Sequence, residues 1–85
     1  MRCLDIAWRS NSQGHARMGI VVPRFRHSAV ARNRLRRRVR EILRRDLLGT
    51  MPAIDMVVRA KPAAYAASFA ALRAELADAA ARIPR

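Results

Sequence analysis

Two short runs near the start of the chain alternate apolar and polar residues, with the period of two that is typical of half-buried β-strands. The apolar face of the first run, residues 3–9, carries Leu4, Ile6 and Trp8. The apolar face of the second run, residues 16–22, carries Met18, Ile20 and Val22. A polar turn, residues 10–15, separates them, so the pattern predicts an antiparallel hairpin with Trp8 packed in the core.

The period becomes helical after Ser28, which is a predicted helix N-cap. The predicted helix runs from Ala29 to about Leu48, with Gly49 as its C-cap candidate. Its apolar residues recur at helical spacing and form one stripe, made of Leu35, Val39, Ile42 and Leu43.

Alternation returns in residues 53–60 and predicts a third strand, with Ile54, Met56 and Val58 pointing inward. The alanine-rich remainder predicts a second helix, capped by Ser68 or beginning near Ala63. One face of this helix carries Phe69, Leu72, Leu76, Ala79 and Ile83. The order β-β-α-β-α predicts an α+β fold, a small αβ sandwich that forms one domain over residues 1–85.

The net charge of +12, from 18 basic and 6 acidic residues, favours association with a polyanion such as nucleic acid or an anionic membrane surface. All the basic residues except Lys61 are arginines, which bind phosphate in bidentate fashion. No apolar run reaches the roughly 18 residues of a transmembrane helix. Cys3 is the only cysteine, which suits a reducing compartment, and we expect a cytoplasmic protein.

Residues 32–45 of the predicted first helix contain eight arginines in fourteen positions. On a helical wheel, Arg32, Arg36 and Arg40 run along one flank of the apolar stripe. Just beyond them lie Asn33, Arg37 and Arg44, and the other flank and outer face carry Arg34, Arg38 and Arg45. Only Glu41 and Asp46 offset this charge within the helix, whereas ordinary solvated faces mix both signs. The run therefore predicts a phosphate-binding surface.

Other candidate side chains lie in or near the basic helix. Asn33 is a plain surface residue, a reader of a base edge or 2′-hydroxyl, or a ligand of a hydrated metal ion. Arg24 is a further phosphate candidate, and Phe25 either packs or stacks on a base, with Tyr65 a weaker stacking candidate. His15 and His27 lack a partner at metal or catalytic spacing, so we expect structural or solvent-exposed roles for them. Paired carboxylates and a glycine-rich phosphate loop are also missing from the sequence, so neither catalytic nor metal-binding residues are predicted in this chain.

At SAVARNRLRRRVREILRR the sequence resembles the protein subunit of bacterial ribonuclease P. The family signature A-x-x-R-N-x-x-[KR]-R-x-x-[KR] is filled by Ala29, Arg32, Asn33, Arg36, Arg37 and Arg40. Arg17 and Gly19 fill the family's preceding strand pattern. The sequence departs from the pattern at Arg26, His27 and Pro23, where the family usually has an apolar residue, a glycine and a serine. The family's usual first helix and short strand, which bring aromatic residues to its cleft, are not found in this sequence, which is a shortened reading frame, a minimal form or a fragment.

The resemblance implies an αβ sandwich with a left-handed βαβ crossover around the arginine helix. It implies that this helix binds ribonuclease P RNA and that a cleft takes the 5′ leader of precursor tRNA. The RNA, with Mg²⁺, would cleave the leader, so the chain would belong to an endoribonuclease without supplying a catalytic residue. A structural RNA-binding protein of ribosomal type is the alternative. A DNA-binding helix is disfavoured by so unselective an arginine run, and a targeting peptide by the strands and caps.

Overall fold

Three strands and two helices follow one another in the predicted order. The computed structural model of the protein describes residues 2–84, apart from the side chain of Leu48. The elements are β1 (Leu4–Ser10), β2 (Arg17–Val21), α1 (Ala29–Ile42), β3 (Ile54–Ala60) and α2 (Phe69–Ala81). The α+β prediction is therefore confirmed.

The sheet has the strand order β1-β3-β2, so the predicted β1–β2 hairpin is wrong. β3 lies between them, antiparallel to β1 and parallel to β2. Alternation along a strand identifies its buried face but not its neighbours. β3 takes the centre because its inward side chains, from Ile54 to Ala60, are almost fully buried. The turn after β1 accordingly bonds to the start of β3, where Asn11 N donates to Ala53 O at 3.0 Å.

α1 connects the parallel neighbours β2 and β3, which is the arrangement of a βαβ unit. The left-handed crossover implied by the family resemblance stays a prediction. This connection places α1 beside β2, which is an edge strand. One flank of the arginine helix therefore faces an open edge of the sheet.

The core lies between one sheet face and the apolar faces of the two helices. The whole predicted stripe of α1, from Leu35 to Leu43, is buried, as are Leu72, Leu76, Ala79 and Ile83 after β3. Phe69 and Trp8 were predicted to pack inward but are 41% and 42% exposed. Phe69 is the first residue of α2. Trp8 lies on edge strand β1 and lines a shallow depression together with Ala79 and Arg82, near the end of α2.

Both serine caps are confirmed. Ser28 Oγ accepts a hydrogen bond from Ala31 N at 3.1 Å, and Ser68 Oγ accepts one from Ala71 N at 3.0 Å. At its other end α1 continues as a π-turn, Leu43–Leu47, and then a 3₁₀ turn, Leu48–Thr50. Gly49 lies inside that 3₁₀ turn without a positive φ, so it does not form the left-handed cap expected of a C-cap glycine.

The connector from β2 to α1 contains a tight turn in which His27 N donates to Arg24 O at 2.8 Å. Its two central residues, Phe25 and Arg26, have φ of 47° and 70°. A positive φ at both positions is typical of a type I′ turn, which usually carries glycine or asparagine. Two preceding carbonyls are bound from outside the turn, Val22 O by Arg32 Nε at 2.7 Å and Pro23 O by the Tyr65 hydroxyl at 2.6 Å. These bonds hold the turn in its strained conformation.

The strain at Arg26 predicts that glycine fits this position better than alanine does. We expect Arg26→Gly to have a free energy of unfolding about 1 kcal/mol higher than Arg26→Ala, because only glycine adopts positive φ without a steric cost. Both variants lose the same charge, so the difference between their free energies of unfolding reports the cost of the positive φ alone. Urea denaturation measures it, and equal stability of the two variants would contradict the assignment of strain.

Candidate nucleic-acid interface

All six carboxylates of the chain are engaged away from most of the arginine run. Glu75 accepts hydrogen bonds from the backbone N–H groups of Cys3 and Leu4 at 3.1–3.2 Å. The other five form ion pairs: Asp5 with Lys61, Glu41 with Arg44 and Arg45, Asp46 with Arg73, Asp55 with Arg17 and Arg9, and Asp78 with Arg82. Only Glu41 forms ion pairs with arginines of residues 32–45. The protein therefore has no acidic side chain left to neutralise the first three turns of α1.

Apart from Arg2 and Arg59, the described arginines without an ion pair form one continuous region. Among residues 2–84, no ion pair is formed by Arg24, Arg26, Arg32, Arg34, Arg36, Arg37, Arg38 or Arg40. They occupy the connector and the body of α1. Like charges four residues apart destabilise a helix, so the folded protein retains unrelieved repulsion here. A polyanion would relieve it.

A groove runs between α1 and the edge strand β2. We call it the basic groove; its lining consists of Ala16, Met18, Ile20, Arg36, Arg40, Leu43 and Arg44, and its volume is ≈ 550 Å³. Its three arginines are spaced four residues apart and form one wall. The apolar side chains form the floor. A positive wall beside an apolar floor suits a single nucleic-acid strand, whose phosphates and bases need these two surfaces.

The three predicted flank arginines differ in their surroundings. Arg40 is exposed at the groove. Arg36 is half-buried, and its Nε is buried without a hydrogen-bond partner among the described residues. Arg32 is also half-buried, but its Nε is used by the Val22 carbonyl. Arg32 thus anchors the connector, which helical spacing could not reveal because Val22 belongs to the preceding segment.

Four of the other predicted residues, Asn33, Arg34, Arg37 and Arg38, are not part of the lining of the basic groove. Asn33, Arg34 and Arg37 line a smaller depression of ≈ 260 Å³ together with Val30. Arg38 is exposed, and Asn33 is exposed without a side-chain hydrogen bond among the described residues. Arg44 belongs to the groove wall, where it also contacts Glu41 at 3.4 Å. The candidates on α1 therefore divide between the groove and an outer surface.

An aromatic cluster lies at the connector, beside the start of α1. The ring of His27 stacks on that of Tyr65, with 3.8 Å between centroids and 3° between planes. Phe25 meets Tyr65 edge-on at 6.5 Å and is 39% exposed. Arg24 is exposed in the same turn. The structure brings together Phe25 and Tyr65, both stacking candidates, but sequence analysis missed the stack with His27 because the partners lie far apart along the chain.

Cys3 and Asp55, two titratable groups outside the arginine region, have structural partners. Burial raises the pKa of the Cys3 thiol, and the adjacent Glu75 raises it further, which disfavours the nucleophilic thiolate. Asp55 has its pKa lowered to about 2, chiefly by its hydrogen bonds from Arg17, so it stays ionised and cannot act as a general acid at neutral pH. These geometries favour structural roles for both residues.

Within the described residues, no group of three or more His, Cys, Asp or Glu side chains could hold a metal ion. No helix of residues 2–84 is long and apolar enough to span a membrane. The arrangement of side chains in this part of the chain is suited to binding an anionic polymer, and the arginines of α1 are its principal feature.

A sequence model of the ribonuclease P family matches residues 1–84. The ribonuclease P protein component of Thermus scotoductus is 43% identical over 75 residues, which cover 88% of this chain and 43% of the relative. That of Acidothermus cellulolyticus is 53% identical over 57 residues, covering 67% of this chain and 48% of the relative. The chain spans about half the length of these curated relatives.

Solved structures of bacterial RNase P proteins have a similar fold. The RNase P protein from Thermotoga maritima superposes with a TM-score of 0.86 at 32% identity, covering 100% of this chain and 81% of that chain. The RNase P protein of Staphylococcus aureus gives 0.79 at 25% identity, covering 92% and 72%. The similarity extends over both helices and all three strands described above.

The unused donor of Arg36 predicts a stability gain when its charge is removed. We expect Arg36→Met to raise the thermal midpoint at low ionic strength by a few degrees, because methionine keeps part of the stem and removes both the repulsion and the buried Nε. Arg82→Met is the control, since Arg82 is exposed and paired with Asp78 at 2.9 Å. A lower midpoint for Arg36→Met than for Arg82→Met would show that the Arg36 guanidinium stabilises the free protein.

Proposed function

Because the chain belongs to the ribonuclease P protein family, we propose that it acts as the protein subunit of ribonuclease P. In this role it binds the catalytic RNA and the 5′ leader of precursor tRNA in the cytoplasm. The holoenzyme removes the leader by endonucleolytic cleavage and leaves the mature tRNA 5′ end. The RNA subunit, with Mg²⁺, carries out the hydrolysis, and this chain supplies binding and positioning.

The observation that carries this proposal is the unneutralised charge of α1 and its connector. The protein keeps its carboxylates on other elements or at the end of the helix, so the arginines stay available to phosphates. Arginine also binds phosphate in a bidentate way and stacks on bases, which suits a folded RNA. A structured RNA offers the density of phosphates that so many adjacent arginines require.

The two surfaces of α1 differ in a way that suits the binding of two different RNAs. The outer surface, with Asn33, Arg34, Arg37 and Arg38, is exposed and rich in arginine, which suits the phosphate backbone of a large folded RNA. The basic groove, with Arg36, Arg40 and Arg44, has the apolar floor that an extended single strand needs. We therefore assign the outer surface to ribonuclease P RNA and the groove to the leader.

The unpartnered Nε of Arg36 supports the assignment of the groove. The Nε of Arg36 has no hydrogen-bond acceptor among the described residues, so this donor is not committed to another part of the protein. A small rotation of this flexible side chain toward the groove would present the donor to a phosphate oxygen. Leader binding would then supply an acceptor for this donor.

Reconstitution with ribonuclease P RNA tests the proposed function directly. Adding the 85-residue chain to the RNA and a precursor tRNA at low Mg²⁺ should accelerate 5′ cleavage, since the arginines offset the repulsion between the two RNAs. Arg82→Ala should accelerate it equally, whereas the Arg36→Ala, Arg40→Ala double variant should do so less. Tight RNA binding without acceleration would instead identify a structural RNA-binding protein.

The salt dependence of binding tests the individual arginines. Arg36→Ala and Arg40→Ala should each reduce the slope of log affinity against log salt by about 0.7–0.9, the contribution of one released counterion. Arg32→Ala should in addition lower the free energy of unfolding, because Val22 O loses its donor. Binding titrations over a range of KCl concentrations measure the slopes, with Arg82→Ala as the control. Unchanged slopes for both groove variants would contradict the placement of phosphates in the groove.

A further inference from the structure

The connector before α1 carries an aromatic surface that the phosphate contacts do not explain. It consists of Phe25, His27 and Tyr65, which we call the aromatic platform. The ring of His27 lies parallel to that of Tyr65, with 3.8 Å between centroids. The ring of Phe25 meets Tyr65 edge-on, with 6.5 Å between centroids and 89° between planes. Two of the three residues, Phe25 and His27, are exposed. A cluster that served only to fill the core would bury these rings.

The platform is held in a defined position before any ligand arrives. The hydroxyl of Tyr65 donates to Pro23 O at 2.6 Å, which fixes the ring that supports His27. The hydrogen bond from His27 N to Arg24 O, at 2.8 Å, closes the turn that presents Phe25. The positive φ of Phe25 and Arg26 is kept by these contacts. A preorganised surface binds with a smaller loss of conformational entropy than a mobile one.

We propose that the aromatic platform binds an unpaired nucleobase of the RNA, which stacks on the exposed face of His27 opposite Tyr65. This inference rests on the proposed RNA-binding function and adds a base contact to it. A base inside a duplex has both faces covered by its neighbours, so only an unpaired base presents a face to a side chain. Stacking tolerates any base, since every base has a π-face.

The charges around the platform favour a nucleotide over other planar ligands. Arg24 and Arg26 flank Phe25 in the turn, and neither has an ion-pair partner among the described residues. The first turn of α1 follows directly after Ser28 and leads to Arg32. A base on His27 would therefore have its phosphates beside two unpaired guanidinium groups. An acidic peptide would be attracted by the same charges but would not need the parallel rings.

A pair of oligonucleotides separates stacking from charge. The first is a short single strand, and the second is its abasic counterpart with the same number of phosphates. We expect the 85-residue chain to bind the base-bearing strand about fivefold or more tightly, the effect of one stacked base. His27→Leu should lose most of this preference, and His27→Phe should keep it because a phenyl ring also stacks.

The controls distinguish stacking from folding and from phosphate binding. His15→Leu removes the other histidine, which lies in an exposed turn, and should leave the preference intact. His27→Leu should keep the salt slope of the unsubstituted chain, because the substitution removes no phosphate contact. Failure of the proposed function is seen separately, as the absence of accelerated 5′ cleavage in the reconstitution with ribonuclease P RNA. Equal affinity of the unsubstituted chain for both strands, or an undiminished preference in a folded His27→Leu variant, would overturn the platform as a base-binding site.

Discussion

The packing of the α1 stripe against the sheet holds in place a set of arginines that repel one another. Leu35, Val39, Ile42 and Leu43 are all buried, and burial of each contributes about 1.5–3 kcal/mol. Each like-charge pair at helical spacing costs only about 0.2–0.5 kcal/mol. The apolar face therefore outweighs the charged face, and one helix can serve as a core element and as an unneutralised surface.

The position of β3 determines where that charged surface meets the sheet. Because β3 pairs with both other strands, β2 becomes an edge, and its side chains Met18 and Ile20 stay partly uncovered beside α1. The connector between β2 and α1 is short and is held by Arg32, Tyr65 and the Ser28 cap. The basic groove and the aromatic platform thus lie along one helix, the first beside its flank and the second before its first turn.

Local patterns in the sequence predicted the elements, both serine caps and the buried stripe of α1, since these depend on residues close together in the chain. They could not predict strand order. Alternation assigns Leu4 or Met18 to one face of the sheet, but it does not show which strand pairs with the strand that carries it. The exposure of Trp8 depends on where α2 ends over an edge strand. Likewise, the bond from Arg32 to Val22 and the stack of His27 on Tyr65 arise only when separate segments meet. The arginine surface was predictable because its charge lies in one continuous run.

We propose that α1 and its connector form an anion-binding surface whose repulsion lowers the stability of the free protein. Thermal unfolding followed by far-UV circular dichroism tests it, with sulfate compared against chloride at matched ionic strength. Both salts screen charge, but sulfate also binds adjacent arginines in the folded state and stabilises it by mass action. We expect helix content and the unfolding midpoint to rise more in sulfate than in chloride. A protein that is fully helical at low salt, with the same midpoint in both salts, would contradict it.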